Sequence, residues 1–257
     1  MIRYAGRGFP GRRVSFRPFV PALTFQYDSR PAMSRRFFLS AVLATVSALA
    51  LAPALAADAP AKAAVSTPIV EGVDYVVIED GKPFALVKGK VEVVEVFGYT
   101  CPHCAHFEPK VSAWKAKRTK DVNFVALAAP FGGYWMPYAK AFYSAQELGA
   151  AGRTHAAVFK ALHEDHALPI NGATVGELAT FYAGYGVDPA TFTQTFDSPK
   201  VQARMDQARE FIMHSGVDGT PTMVVNGKYR VTGARSFDDA LRIVDALVAR
   251  EKSTGKR

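Results

Sequence analysis

The sequence predicts an α/β protein in which a central mixed β-sheet is interrupted by an inserted block of helices. Three observations carry this reading. The β-rich runs Val91–Phe97 and Val122–Ala128 enclose a stretch with apolar residues at helical spacing, which makes a β-α-β unit. After Gly132-Gly133, about 85 residues show helical patterning separated by Gly and Pro signals. Strand-like runs then return at Thr222–Val225 and Lys228–Thr232 on either side of Asn226-Gly227, the strongest short-range hairpin signal.

In chain order, residues 1–32 mix Arg, Pro, Gly and aromatics with no steady period and read as an upstream extension outside the mature protein. Met33 opens Ser-Arg-Arg-Phe-Phe and the apolar stretch Leu39–Ala52, and Pro53-Ala54-Leu55-Ala56 supplies a small-x-small ending. Residues 33–56 therefore read as a signal peptide cleaved after Ala56, the apolar stretch being short for a retained membrane anchor. Ser34-Arg-Arg-Phe-Phe-Leu39 also fits a twin-arginine signal, which leaves both export routes open. Residues 57–70 read as a flexible mature N-terminus. Val73–Ile78 is expected as an edge strand, Asp80-Gly81 as a turn, and Val91–Phe97 as a strand buried in the sheet. The following helix is expected from Pro102 to about Thr119, bent where Pro109 removes a hydrogen bond to the Ala105 carbonyl. Further helices are expected at Met136–Leu148, Arg153–His163, Val175–Tyr185, Pro189–Asp197 and Lys200–Ser215, with Trp114, Trp135, Phe142 and Tyr143 in the core. Ser236–Arg250 closes the chain as an amphipathic helix, Ser236 and Asp239 standing at capping-box spacing. The strand order β-β-α-β, helices, β-β-α gives a thioredoxin-like domain over 71–131 and 216–250, a helical insertion over 132–215 and a tail over 251–257.

The formal charge of +8 does not imply a nucleic-acid partner. Residues 1–56 hold eight arginines against Asp28, which accounts for seven of those charges and leaves about +1 on the rest. Only two cysteines exist, Cys101 and Cys104, so a disulfide-stapled scaffold is excluded while a redox enzyme with one active pair is not.

Those two cysteines lie in Tyr99-Thr100-Cys101-Pro102-His103-Cys104, at the junction of a strand and a helix. With Cys101 as N-cap, Pro102 falls at the first helical position, where its missing N–H costs nothing. The Cys101 sulfur is then expected to accept from the backbone N–H groups of His103 and Cys104. Those donors, the helix dipole and the His103 imidazole all favour a thiolate. A stabilised thiolate is a good leaving group, so a Cys101–Cys104 disulfide should be easily reduced and strongly oxidising. Gly216-Val-Asp-Gly-Thr220-Pro221-Thr222 immediately precedes the hairpin. In a thioredoxin-like sheet this segment faces the Cys-x-x-Cys with a cis Thr220–Pro221 bond; an ordinary trans turn is the alternative. Neighbouring backbone groups would then be free to pair with an extended substrate.

Phe97–Glu108 (FGYTCPHCAHFE) and Gly219–Tyr229 (GTPTMVVNGKY) together resemble the DsbA family of periplasmic thiol:disulfide oxidants, over roughly residues 70–250. The resemblance implies that Cys101 forms the mixed disulfide, Cys104 resolves it, His103 stabilises the Cys101 thiolate, and Thr220 with cis-Pro221 binds substrate backbone. It implies unfolded cysteine-containing exported proteins as substrates, reoxidation by a DsbB-like inner-membrane protein that passes electrons to quinone, a monomer in the Gram-negative periplasm, and no cofactor. Glu95, six residues before Cys101, matches a buried acid of the family that tunes the pair and relays protons with Pro102 nearby. On residue pattern alone Glu95 either is buried or faces solvent on a half-exposed strand. The family lysine that pairs with this acid is missing, since the third strand reads Val125-Ala-Leu-Ala128. Glu108 matches another family acid and reads as a solvated charge. Tyr99, Met136, Val217 and Met223 are expected to line an apolar surface around Cys101 that receives unfolded polypeptide.

Other chemistries fit less well. Cys101, His103, Cys104 and His106 could be imagined as zinc ligands, but a second cysteine pair is lacking. Ala105 stands where covalent haem attachment needs His. His163-Glu-Asp-His166 lacks the spacing of a metalloprotease helix and reads as a solvated helix end. A disulfide isomerase or reductase of the same fold is the nearer rival, although no dimerisation domain precedes the first strand.

Overall fold

The computed structural model describes residues 68–254; the upstream extension, the signal peptide and most of the flexible N-terminus lie outside the described residues. Five strands form one mixed sheet: β1 (Tyr75–Val77), β2 (Val91–Phe97), β3 (Val122–Ala128), β4 (Thr222–Val225) and β5 (Tyr229–Val231), in the order β1-β5-β4-β2-β3. β2 runs parallel to β3 and antiparallel to β4, and β5 is antiparallel to β4 and β1. Among the described residues seven helices accompany it: α1 (Pro102–Ala116), α2 (Trp135–Glu147), α3 (Ala151–His163), α4 (Val175–Ala183), α5 (Pro189–Phe196), α6 (Pro199–His214) and α7 (Phe237–Thr254). Helices α2 to α6 are the insertion between β3 and β4.

All seven residues of β2 are buried, because the strand is covered on both faces and has neighbours on both edges. Val94 and Val96 join the apolar core shared with the insertion, while Val91 and Val93 join a second core with Phe107, Val111 and Trp114 of α1 and Leu247 of α7. The period-2 geometry of a strand therefore sends Glu95 to the α1 side. The Asn226-Gly227 turn has positive φ at both residues, as a two-residue turn matched to strand twist requires. Tyr143 of α2 donates to the Ala128 carbonyl at 2.8 Å, tying the insertion to the end of β3.

Helix starts follow their caps: Thr174 and Glu177 form a reciprocal capping box on α4, and Asp188 and Ser198 accept from the first turns of α5 and α6. Ser236 Oγ accepts from Asp239 N at 3.1 Å, but the Asp239 carboxylate turns to Arg235 and Arg242 rather than closing a box. Ends differ more. Strand β1 is only three residues long, since Val73 and Ile78 lie outside its pairing with β5. Helix α1 continues through Pro109 and stops at Ala116, short of Thr119. Helix α7 runs past Arg250 to Thr254, and the expected tail contributes Glu251, buried and accepting from Asn226, Lys228 and Tyr229.

Gly98 links β2 to the Cys101 loop where the ring of Trp135 lies against its backbone, and an added Cβ would fall 1.8 Å from Trp135 Cζ3. Gly98→Ala should therefore lower the unfolding free energy by about 1–3 kcal/mol, the usual range for overpacking. Part of that loss should return in the double variant with Trp135→Ala, measured as a double-mutant cycle in urea. Additive effects would show that the contact does not constrain this link.

Candidate active site

The end of β2 and the start of α1 set the two cysteines at unequal depth: Cys101 is 8% exposed and Cys104 0%. Both are free thiols. Cys101 is the N-cap of α1, with extended backbone and Pro102 at the first helical position, as the spacing predicts. The expected full side-chain cap hydrogen bond does not form, and the N–H groups of Cys104 and His103 act on the sulfur more weakly. The thiol of Cys104 hydrogen-bonded to Cys101 is the largest influence holding Cys101 down to about 5; burial opposes it, and Thr220 and the two N–H groups assist. Burial, followed by the neighbouring Cys101, pushes Cys104 far above the ordinary thiol range. The less deeply buried sulfur is thus the acidic one and the fully covered sulfur keeps its proton.

Across from Cys101, the Thr220–Pro221 peptide is cis and the Thr220 carbonyl accepts from the Cys101 thiol at 3.4 Å. Thr220, Pro221 and Met223 line a groove of about 690 Å³ beside the cysteines, with His103 and Phe107 on its far wall. Sequence places the two halves 119 residues apart, and the antiparallel pairing of β4 with β2 brings them together. His103 is exposed, and its imidazole makes no hydrogen bond to Cys101.

Three of the four residues expected on the apolar surface are buried: Met223 lines the groove but is 2% exposed and packs in the second core, and two others lie beneath the surface. Tyr99 is 2% exposed, enclosed by Phe97, Phe142 and Phe159 of the insertion core, and Val217 is 7% exposed within the same core. The Tyr99 hydroxyl shares a 2.9 Å hydrogen bond with Nδ1 of His155, and its carbonyl lies 2.7 Å from Nε2 of His163. His163 is therefore a half-buried support of the cysteine loop rather than a solvated helix end. Neither histidine carries a recognisable motif; only their positions four and twelve residues past Ala151, the start of α3, hint at contact with the site. Among the described residues no cluster of three or more His, Cys, Asp or Glu side chains could hold a metal ion.

Glu95 is buried at 2% exposure, and its Oε2 has no hydrogen-bond partner. Desolvation, then the negative charge of Glu108, push its carboxyl up to about 8, while Lys115 pulls it back. Ala126 stands opposite Glu95 on β3, and the positive charge comes from Lys115 on α1 in place of the missing third-strand lysine. Glu108 corrects the expectation of a solvated charge: it is 7% exposed and accepts from Ser112 Oγ at 2.5 Å. Cys104, Phe107, Glu108, Val111 and Trp114 form the buried stripe of α1, so the helical spacing itself carried that signal.

A family model described as Thioredoxin matches residues 86–246. The chain is 39% identical over 188 residues to the thiol:disulfide interchange protein DsbA of Pseudomonas aeruginosa, covering 72% of this chain and 87% of that protein. It is 36% identical over 221 residues to the thiol:disulfide interchange protein DsbA of Azotobacter vinelandii, covering 85% and 99%. Among solved structures, the oxidoreductase DsbA from Xylella fastidiosa is 53% identical with a TM-score of 0.70, over 72% of this chain and 98% of that one. The crystal structure of Pseudomonas aeruginosa DsbA is 39% identical with a TM-score of 0.68, over 74% and 97%.

A carboxyl raised to about 8 is protonated in the folded chain and ionised in the unfolded one between its ordinary value of about 4.3 and 8. Across that window the folded state binds the extra proton, so the contribution of Glu95 to stability falls as pH rises. Urea unfolding of wild type and Glu95→Gln should show a gap that moves in favour of the Gln variant from pH 4.5 to 8. A gap independent of pH would mean that Glu95 titrates normally.

Proposed function

The chain belongs to the DsbA family of thiol:disulfide interchange proteins and is a disulfide oxidoreductase, and from that premise we propose that it acts as an oxidase. Its Cys101–Cys104 disulfide is handed to reduced, unfolded cysteine-containing proteins after export, in the Gram-negative periplasm, once residues 33–56 have been removed. The observation that supports this direction best is the asymmetry of the pair, a Cys101 near the surface held near 5 and a fully buried Cys104 held high. At neutral pH the dithiol form gains a stabilised thiolate that the disulfide form lacks, and this favours reduction of the enzyme and oxidation of its substrate.

In the proposed cycle an extended substrate lies along Thr220-Pro221, and one of its thiolates attacks Cys101 Sγ. The Cys101–Cys104 bond breaks, and Cys104 leaves and takes up a proton, for which the buried, protonated Glu95 carboxyl of β2 is the proposed source. The second substrate thiolate attacks the substrate sulfur of the mixed disulfide and expels the Cys101 thiolate. The substrate has then lost two electrons and the enzyme has gained them, ending as one thiolate and one thiol. A DsbB-like membrane partner would remove the two electrons to quinone and restore the disulfide. Both halves of the site come from one chain, which supports a monomer. In this scheme His103 acts through its backbone N–H and as a groove wall, and Tyr99 and Val217 act as supports.

Residues 57–257 equilibrated against glutathione and read by thiol trapping should give a reduction potential well above the roughly −270 mV of thioredoxin. The stability of the reduced protein relative to the oxidised one should also rise with pH from about 5 towards the ordinary thiol value of about 8.5, because there the unfolded chain binds the Cys101 proton and the folded one does not. A potential near that of thioredoxin would move the protein to the reductases.

A further inference from the structure

We propose that Arg230 determines substrate specificity, by reading an Asp or Glu side chain of the polypeptide segment lying along Thr220-Pro221. The inference rests on the disulfide-exchange reading above and adds a substrate preference to it.

Arg230 sits in the middle of β5, in register with Val224 of β4 and Val76 of β1, so its backbone is fixed by the sheet. Its side chain lines the groove that also holds Thr220, Pro221 and Met223. The guanidinium lies against the turn before Thr220: a Cβ built on Gly216, whose φ is +63°, would stand 3.5 Å from both Cζ and Nη1. At that φ only glycine avoids backbone strain, and the guanidinium lies within van der Waals range of the turn, held under the substrate loop. Nε is buried with no hydrogen-bond partner, and Arg230 forms no ion pair among the described residues.

The neighbouring cations are all engaged. Lys228 pairs with Glu251 at 2.8 Å, Arg235 on the groove rim pairs with Asp239 at 3.3 Å, and Arg250 donates to the Tyr75 hydroxyl. Asp218, the acid on the groove wall, is exposed and makes no ion pair with Arg230. A carboxylate entering the groove therefore meets a fixed guanidinium that no protein acid has satisfied. The planar fork of Arg matches a carboxylate, and the partly covered wall screens the attraction less than open solvent would. An acidic side chain a few residues from the reacting cysteine is the substrate feature with that chemistry; the cis-proline loop reads only backbone and is indifferent to sequence.

The test uses the oxidised full mature chain and dithiol peptides that carry Glu, Gln or Lys three residues from the first cysteine. Second-order oxidation rates are measured for wild type, Arg230→Gln and Arg230→Lys at low and high salt. Wild type should oxidise the Glu peptide about fivefold faster relative to the Lys peptide than Arg230→Gln does, an advantage that shrinks with salt. Comparing variants cancels the effect of the peptide's charge on its own thiol. Arg230→Lys should keep part of the preference, which guards against a Gln variant that folds poorly. The same peptide preference in Arg230→Gln as in wild type would overturn the inference. So would a preference that disappears only in step with a changed reduction potential, because Arg230 would then act on the thiolate and not on the substrate. If wild type oxidises none of the peptides, the oxidase reading fails and takes this inference with it.

Discussion

The unequal burial of two sulfurs one helical turn apart is the constraint on which the rest of the structure depends. A thiolate needs nearby donors and some access to solvent, whereas a retained proton needs cover. Both conditions are met because the chain leaves a fully buried strand at Phe97, turns through Gly98 and Tyr99, and starts a helix whose first residue is at the surface and whose third is already inside. The ring of Trp135 against Gly98 and the cover of the insertion core over Tyr99 fix that exit path. The cis-proline loop then closes over Cys101 from the opposite side, where β4 delivers it.

Strand β2 shows how strongly environment decides the chemistry of a single residue type. Glu92 and Glu95 are both buried in the same strand. The Glu92 carboxyl is raised by burial, but it accepts from the Phe84 and Ala85 backbone N–H groups, which oppose that rise, and it pins the loop before β2. Glu95 points the other way, towards α1, and finds Glu108 and Lys115 there, with one oxygen unpartnered. An isolated buried carboxylate is costly enough to take up a proton instead. The carboxyl without donors thus holds its proton up to about pH 8, while its neighbour three residues back is a structural clamp.

Most of the fold was legible because local signals and topology agreed. The Asn226-Gly227 turn, the Cys-Pro start of α1 and the starts of α4 and α5 at Val175 and Pro189 each report on residues within a few positions, and all appear where the spacing puts them. Helix and strand ends were less legible: β1 is shortened by what β5 can pair with, and α7 is lengthened by the acceptor role of Glu251, and both depend on partners far away in sequence. The site divides in the same manner. Cys101, Cys104 and Pro221 lie in motifs. Tyr99 and Val217 were assigned to a surface because apolar residues near a reactive cysteine suggest one, but the insertion core claims them. The burial of Glu108 was readable from its place four residues after Cys104. The roles of His155, His163 and Arg230 were not, because nothing in their sequence neighbourhood says which helix or loop will lie against them.

The histidine supports also explain how the site can hold still while its chemistry titrates. Burial and Lys115 hold the His155 imidazole down near 3, and burial raises Tyr99 well above the ordinary phenol range. Neither partner of that hydrogen bond changes charge between weakly acidic and weakly alkaline pH, so the grip of the insertion on the cysteine loop stays constant. Over the same range Cys101 and Glu95 do change charge, one losing its proton near 5 and the other near 8. Their surroundings invert their ordinary order: donors and partial access lower the thiol, and uncompensated enclosure raises the carboxyl. The contact that holds the cysteine loop to the insertion therefore keeps its charge state while Cys101 and Glu95 titrate.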